Sequence, residues 1–372
     1  MVNLASRIMA QGSTLAAASL LSSVLWAQQS APSQHYNQTN LVADTPGVAQ
    51  ITDPNLVNPW GMSRSSGSPW WISDNGPGLA TLYGGTGNPS SLVVTIPAAE
   101  GNGAGTPSGQ IFNGTTGFQI APGKSALFLF VTEDGTVSGW NPGVNATTAV
   151  IKVNTKGTSV FKGIAIASID DPRMGPVDFL YVADFRKGNV NVYDTNFHPI
   201  RLDGDSFRDE RIPKGYAPFN VQNIGGNLYV AFAKQDSEKH DEVDGPGLGF
   251  VDVFSPTGRP LLRLQSGWWF NGPWGLVQAS ADFGAYSHDI LVGQFGSGQI
   301  VVFDPVTGAY KGLLYNASNK PIAIDGLWGL AFGNGSGAGP STSLYFTAGS
   351  DGEQHGLFGT ITPVENVLGG DL

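Results

Sequence analysis

With 372 residues, no cysteine and a formal net charge of −10, the chain rules out disulfide staples and thiolate metal sites, and it has no cluster of Lys and Arg that would displace counterions from a nucleic acid. Glycine, at 52 residues, is about twice its usual share, and charged residues, at 13%, are about half of theirs. Many tight turns between buried strands produce both.

At the N-terminus Arg7 precedes an apolar stretch, residues 15–26, with Ala27 and Ala31 as small residues near candidate cleavage points. Residues 1–27 therefore read as a secretory signal peptide, and 28–38 as a polar linker. A single domain is expected over 39–363, with 364–372 as a short tail. No later stretch approaches the roughly 20 uninterrupted apolar residues of a membrane span. The mature protein is expected outside the cytoplasm, extracellular or periplasmic, as a monomer. Sequons at Asn37, Asn113, Asn145, Asn316 and Asn334 would accept glycans in a eukaryotic secretory route.

From residue 58 the chain repeats one plan: four short runs rich in β-branched and aromatic residues, each ended by Gly, Pro, Asp or Ser. The first copy is WGMSRS, PWWISDN, LATLYGG and SLVVTIP. A Gly/Pro/Ser-rich connection, residues 98–109, leads to a second copy: GFQIAP, ALFLFVTE, TVSGWNP and AVIKV. Third and fourth copies follow, and residues 271–314 hold the clearest one: PWGLVQA, DILVGQF, QIVVFD and AYKGLL. The sixth supplies only three strands, LWGLAFG, SLYFTAG and HGLFGTI. Copies start 45 to 57 residues apart, which fits a repeat architecture. The expected fold is an all-β, six-bladed β-propeller. An orphan apolar segment at 39–44 would supply the missing outer strand of the last blade and close the ring, since an open propeller leaves an unpaired strand edge.

In such a ring the loops between second and third strands share one face with the loops that lead into each blade. Asn75, Glu133, Asp184 and Asp351 lie in the first set, and Asn58, Trp268 to Asn271 and Asp325 in the second. Converging carboxylates and carboxamides suit Ca²⁺, a hard cation that takes six to eight oxygens. The metal candidates are Glu133, Asp184 and Asp351, with Asn75 as a further oxygen donor. An Asp after a strand equally caps its own turn. Gln119 and Asn220 follow the first-strand aromatic in the second and fourth copies, and Lys162 takes the aromatic position in the third. There Lys162 reads as a lysine facing channel water, with an anion clamp or a proton donor as the functional alternative.

The loop 234–249 carries Asp236, Glu238, Asp241, Glu242 and Asp244 beside His240, and reads as a solvated mobile excursion or as a lid on a cation site. Trp268 and Trp269 are candidates for stacking on a flat ligand, as are Trp70 and Trp71, whereas Trp60, Trp274 and Trp328, which recur in register, read as wedges between neighbouring blades. The histidines show no metal spacing, and there is no GxSxG elbow, P-loop or Rossmann fingerprint.

Pairs such as FLYVADF with GNVNVYD, and DILVGQF with SGQIVVFD, resemble NHL-type six-bladed propellers. The segments NLVADTPGVAQITDPNLVNPWGMS, YGGTGNPSSLVVTIP and GFVDVFSPTGRPLLRL resemble an uncharacterised family of exported bacterial propeller proteins. That resemblance implies the fold and export, and no catalytic residues. Two functions compete. One is a binding or scaffold module that holds a small molecule, a glycan or an extracellular protein on the rim formed by Asn58, Asn75, Gln119, Lys162, Trp268, Trp269, Asn271 and Asp325. The other is a calcium-dependent hydrolase resembling the six-bladed lactonases, with Glu133 and Asp184 holding the cation.

Overall fold

The computed structural model describes residues 34–202 and 204–364; the expected signal peptide and most of the expected tail lie outside them. Six sheets of four or five strands form the blades of a β-propeller, beside one small two-stranded hairpin. Within each four-stranded blade, consecutive strands are antiparallel from the axis outward, as in Pro59–Ser63, Trp70–Asp74, Leu79–Tyr83 and Val94–Thr95 of the first.

Second strands such as Phe128–Thr132, Ile290–Gln294 and Leu344–Ala348 are buried along their whole length. They read as continuous apolar runs because each blade is sandwiched between two others, so both faces of the strand need apolar side chains. Outer strands such as Pro260–Arg263 are far more exposed. The wedges between neighbouring blades are Trp70 and Trp71. Trp71 stacks on Phe128 of the second blade at 4.2 Å, and Trp70 meets Tyr345 of the sixth at 5.0 Å. Both tryptophans are buried, so neither is a stacking platform for a ligand.

The last sheet closes the ring as expected. Tyr36–Ala43 pairs antiparallel with Leu357–Pro363, so the strand starts at Tyr36, ahead of residue 39, and Val42 then pairs in parallel with Ile51. Tyr36 is fully buried, and its hydroxyl donates to the Phe283 carbonyl of the fifth repeat at 3.0 Å.

The second blade departs from expectation. Its inner strand is Pro107–Phe112, which begins inside the 98–109 stretch read as a connection, whereas Gln119–Ala121 pairs only with Lys124–Ser125 in the peripheral hairpin. Gln119 is exposed, and its side chain accepts from the Gly123 amide. It does not line the channel. Gln110 does, and its amide donates to the carbonyls of Gly61 and Trp71.

A charged cup on the propeller axis

Every inner strand breaks register near its start, between Pro59 and Met62, Pro107 and Gln110, Phe161 and Gly163, Pro218 and Asn220, Pro273 and Leu276, and Leu327 and Leu330. A bulge re-aims the side chain it carries. The residues released are Trp60, Ser108, Lys162, Phe219, Trp274 and Trp328. Trp60 lies 3.6 Å from Trp328, 6.0 Å from Trp274 and 6.4 Å from Phe219, contacts that join blades one, six, five and four. These rings meet on the axis, so Trp60, Trp274 and Trp328 form a central plug and are not wedges between neighbouring blades. The residue that follows is Gly in all but the fourth blade, where it is Asn220. The inner strands crowd there: a Cβ on Gly275 would lie 2.6 Å from the Trp328 carbonyl. Asn220 bridges to the Trp274 carbonyl at 2.7 Å, a structural role.

Lys162 is the one charged member of the ring. Its side chain is fully buried, not facing channel water, and its ammonium sits 4.8 Å from the Trp60 ring centre and 5.8 Å from those of Phe185 and Phe219. Cation–π attraction of this kind contributes about 0.5–2 kcal/mol. Nζ also donates to Glu133 Oε1 at 2.5 Å and to Asp241 Oδ1 at 3.2 Å. Burial alone would lower the lysine pKa; the Glu133, Glu242 and Asp241 carboxylates outweigh it and raise it.

A polar chain runs outward from this pair. Asn75 Nδ2 donates to Glu133 Oε2 at 2.7 Å, Asn58 Nδ2 approaches Asn75 Oδ1 at 3.5 Å, and Trp328 Nε1 donates to Asn58 Oδ1 at 3.2 Å. Asn58 itself holds φ +47°, a left-handed conformation.

The 234–249 loop is a folded flap seated on this cup. The Asp236 amide donates to the Asp241 carbonyl at 2.9 Å, and the Val243 amide closes on the Lys234 carbonyl at 2.8 Å. The Gly245 amide donates to Asn271 Oδ1 at 2.6 Å, which pins the flap base. His240 Nδ1 lies 2.8 Å from Asp241 Oδ1. His240 and Lys162 hold the Asp241 carboxyl down at about 2, against the effect of burial. Burial pushes Glu242 up to about 8, and Lys162 only partly offsets it.

Glu353 completes the cup from the sixth blade, on a turn where Asp351, Gly352 and Glu353 all have positive φ, at 54°, 61° and 66°. Consecutive left-handed residues are costly, and such strain concentrates at functional sites. Burial, together with the Glu133 and Asp241 carboxylates, pushes Glu353 up to about 7.

Of the residues singled out in the sequence, Asn58, Asn75, Glu133 and Lys162 come together. Asp184 does not join them: its oxygens accept from the Lys187 amide and Asn191 Nδ2, both at 3.1 Å, so it caps its own turn. Asp325 Oδ2 accepts from the Asp351 amide at 2.8 Å, bracing the strained turn. Trp269 stacks on Tyr310 at 4.0 Å, while Trp268 stands 62% exposed beside it. Glu353 and Phe185 were not singled out in the sequence, although both lie in the loops between second and third strands that the repeat brings to this face.

Glu133, His240 and Asp241 each place a ligand atom within 4.8 Å of the others, a grouping able to hold a metal. Calcium does not fit it as it stands. The Lys162 ammonium already contacts two of the three, and imidazole is not a ligand this hard cation favours.

The bulged six-blade ring and its axial cup define a β-propeller of the six-bladed class. Within that class the chain belongs to the family of two uncharacterized proteins of Acanthamoeba polyphaga mimivirus, R648 and L690. It is 33% identical to each over 336 residues, covering 86% of this chain and 78% and 84% of theirs. The relatives are viral, so the bacterial part of the resemblance finds no support. No protein-family model matches the chain. Among solved structures, the Escherichia coli aldose sugar dehydrogenase superposes with a TM-score of 0.53 at 11% identity, over 88% of this chain and all of that one. Streptogramin B lyase gives 0.50 at 10% identity, over 88% and 97%. These likenesses show the fold alone, and propellers host unrelated functions.

Proposed function

We propose that this protein is a ligand-binding propeller that takes a neutral, hydroxyl-rich small molecule, such as a saccharide, into the axial cup beneath the flap. The observation that carries this reading is the double engagement of Lys162, whose buried ammonium holds Glu133 of the cup wall and Asp241 of the flap together. When the flap lifts, one ammonium, the carboxamides of Asn58 and Asn75 and the carboxyls of Glu133 and Glu353 are left facing the opening. Burial raises Glu353 to about 7, so it can present a proton as well as accept one, and the set mixes donors and acceptors, as hydroxyl groups require. Calorimetric titration with a panel of mono- and oligosaccharides tests it. Binding by the native protein that falls at least about tenfold in Lys162→Met supports the reading. A panel with no binder, or one bound equally by the variant, removes it.

Calcium-dependent hydrolysis is the second reading, and it rests on the Glu133, His240 and Asp241 grouping. It requires Lys162 to withdraw. A calcium-dependent rise in melting temperature, lost in Glu133→Gln and accompanied by ester or lactone turnover, would favour it. The expected export rests on the apolar stretch at 15–26, and N-terminal sequencing of protein recovered outside the producing cell tests that proposal.

A further inference from the structure

The inner strands that begin at the cup end at the opposite mouth of the channel, where a cavity of about 390 Å³ opens. That is within the size range of small-ligand pockets. Met62, Ile111, Phe112, Val277, Ala331 and Phe332 give it an apolar wall drawn from blades one, two, five and six, and most of these side chains are only half-buried. Five polar residues interrupt the wall: Ser63, Arg64, Gln110, Gln222 and Gln278. An apolar cleft with a few fixed polar groups is the usual form of a small-molecule site.

Arg64 sets the charge of the pocket. Its Nε and Nη2 donate to the carbonyls of Phe332 and Gly333 at 2.7 and 3.0 Å, and its guanidinium lies 5.6 Å from the Trp70 ring centre. These contacts hold it in place without neutralising it. Among the described residues no carboxylate pairs with it, and burial lowers its pKa with no acidic group to offset the effect. A half-buried cation without a counter-charge favours an anion at its free edge. One further group at this mouth lacks a hydrogen-bond partner in the protein, Ser63 Oγ, a hydroxyl that can donate to an anion. We propose that this second mouth binds a small organic anion, an apolar or aromatic body carrying one carboxylate or sulfonate, with the acid group on Arg64 and the body against Phe112, Val277 and Ala331. The site is separate from the axial cup and does not depend on the reading given for it.

Fluorescence titration with anilinonaphthalene sulfonate, compared with its uncharged counterpart N-phenylnaphthylamine, tests the site with no variant needed. The sulfonate should bind at one site per chain and at least about tenfold more tightly than the uncharged probe. Ala331→Trp, which fills the pocket, should abolish that binding, and Arg64→Gln should weaken it about tenfold with little change for the uncharged probe. Equal binding of the two probes, or sulfonate binding that survives Ala331→Trp, would overturn the proposal. If Arg64→Gln does not fold, the probe comparison and Ala331→Trp still decide.

Discussion

The two mouths of the channel are the two ends of the same six strands, yet they are built on opposite principles. At the upper mouth charge is concentrated and neutralised internally: Lys162 meets Glu133 and Asp241, a flap covers the cup, and the backbone at Asn58 and 351–353 is strained. At the lower mouth charge is sparse and left uncompensated: Arg64 rests on carbonyls within an open apolar wall. The contrast follows from the topology. Strand starts lie where the 234–249 flap and the turn at 351–353 bring their carboxylates, whereas strand ends are walled by the side chains of the strands themselves. A buried ion pair is poor evidence of stability, since apolar replacement of both partners is often neutral. Its presence here is therefore no argument for stability, and it is the feature on which the proposed binding site rests.

The sharpest way to separate the mouths is to truncate each cation. Lys162→Ala strands Glu133 in the cup and should cost about 3–5 kcal/mol of stability, measured by chemical denaturation. Lys162→Met, which keeps the apolar stem among the rings, should cost less. Arg64→Gln breaks two charge-assisted bonds to carbonyls and should cost about 2 kcal/mol, with no change in the protection of the flap. An equal cost at both mouths would dissolve the contrast.

A separate effect is expected from pH. Glu242 and Glu353, raised to about 8 and about 7, stay protonated in the fold where the unfolded chain has already released its protons. The folded state thus binds more protons between the ordinary carboxyl range, about 4.3, and about 8. Stability should fall as pH rises through that window, and the contribution should be lost above about pH 8. Glu242→Gln should flatten the curve; an unchanged curve would show that the upper mouth is more solvated than its geometry implies.

Much of this was legible in the chain. Strand runs, turn punctuation and the Trp-Gly recurrence were enough for the blade count, and the short sixth copy was enough for ring closure by the N-terminal strand. The inner strand of blade two was not legible, because Pro107–Phe112 follows a glycine-rich run while GFQIAP shows a better local pattern; packing between blades overrode propensity. The axial role of the tryptophans was hidden as well, since a bulge reverses the direction expected from simple alternation. Four of the sequons proved to be Asx turns: Asn113, Asn145, Asn316 and Asn334 each accept from the amide two residues on. The flap was legible only as two alternatives, a solvated excursion or a lid. Its acidic residues suited a solvated excursion, and only the structure shows that Asp241 has a buried partner on the axis.

Hydrogen exchange across residues 236–243 tests most directly whether Lys162 holds the flap over the cup. Slow exchange of the Asp236 and Val243 amides in the native protein, lost in Lys162→Met while the blades stay protected, is the expected result. Fast exchange in the native protein, or equal protection in the variant, would contradict it.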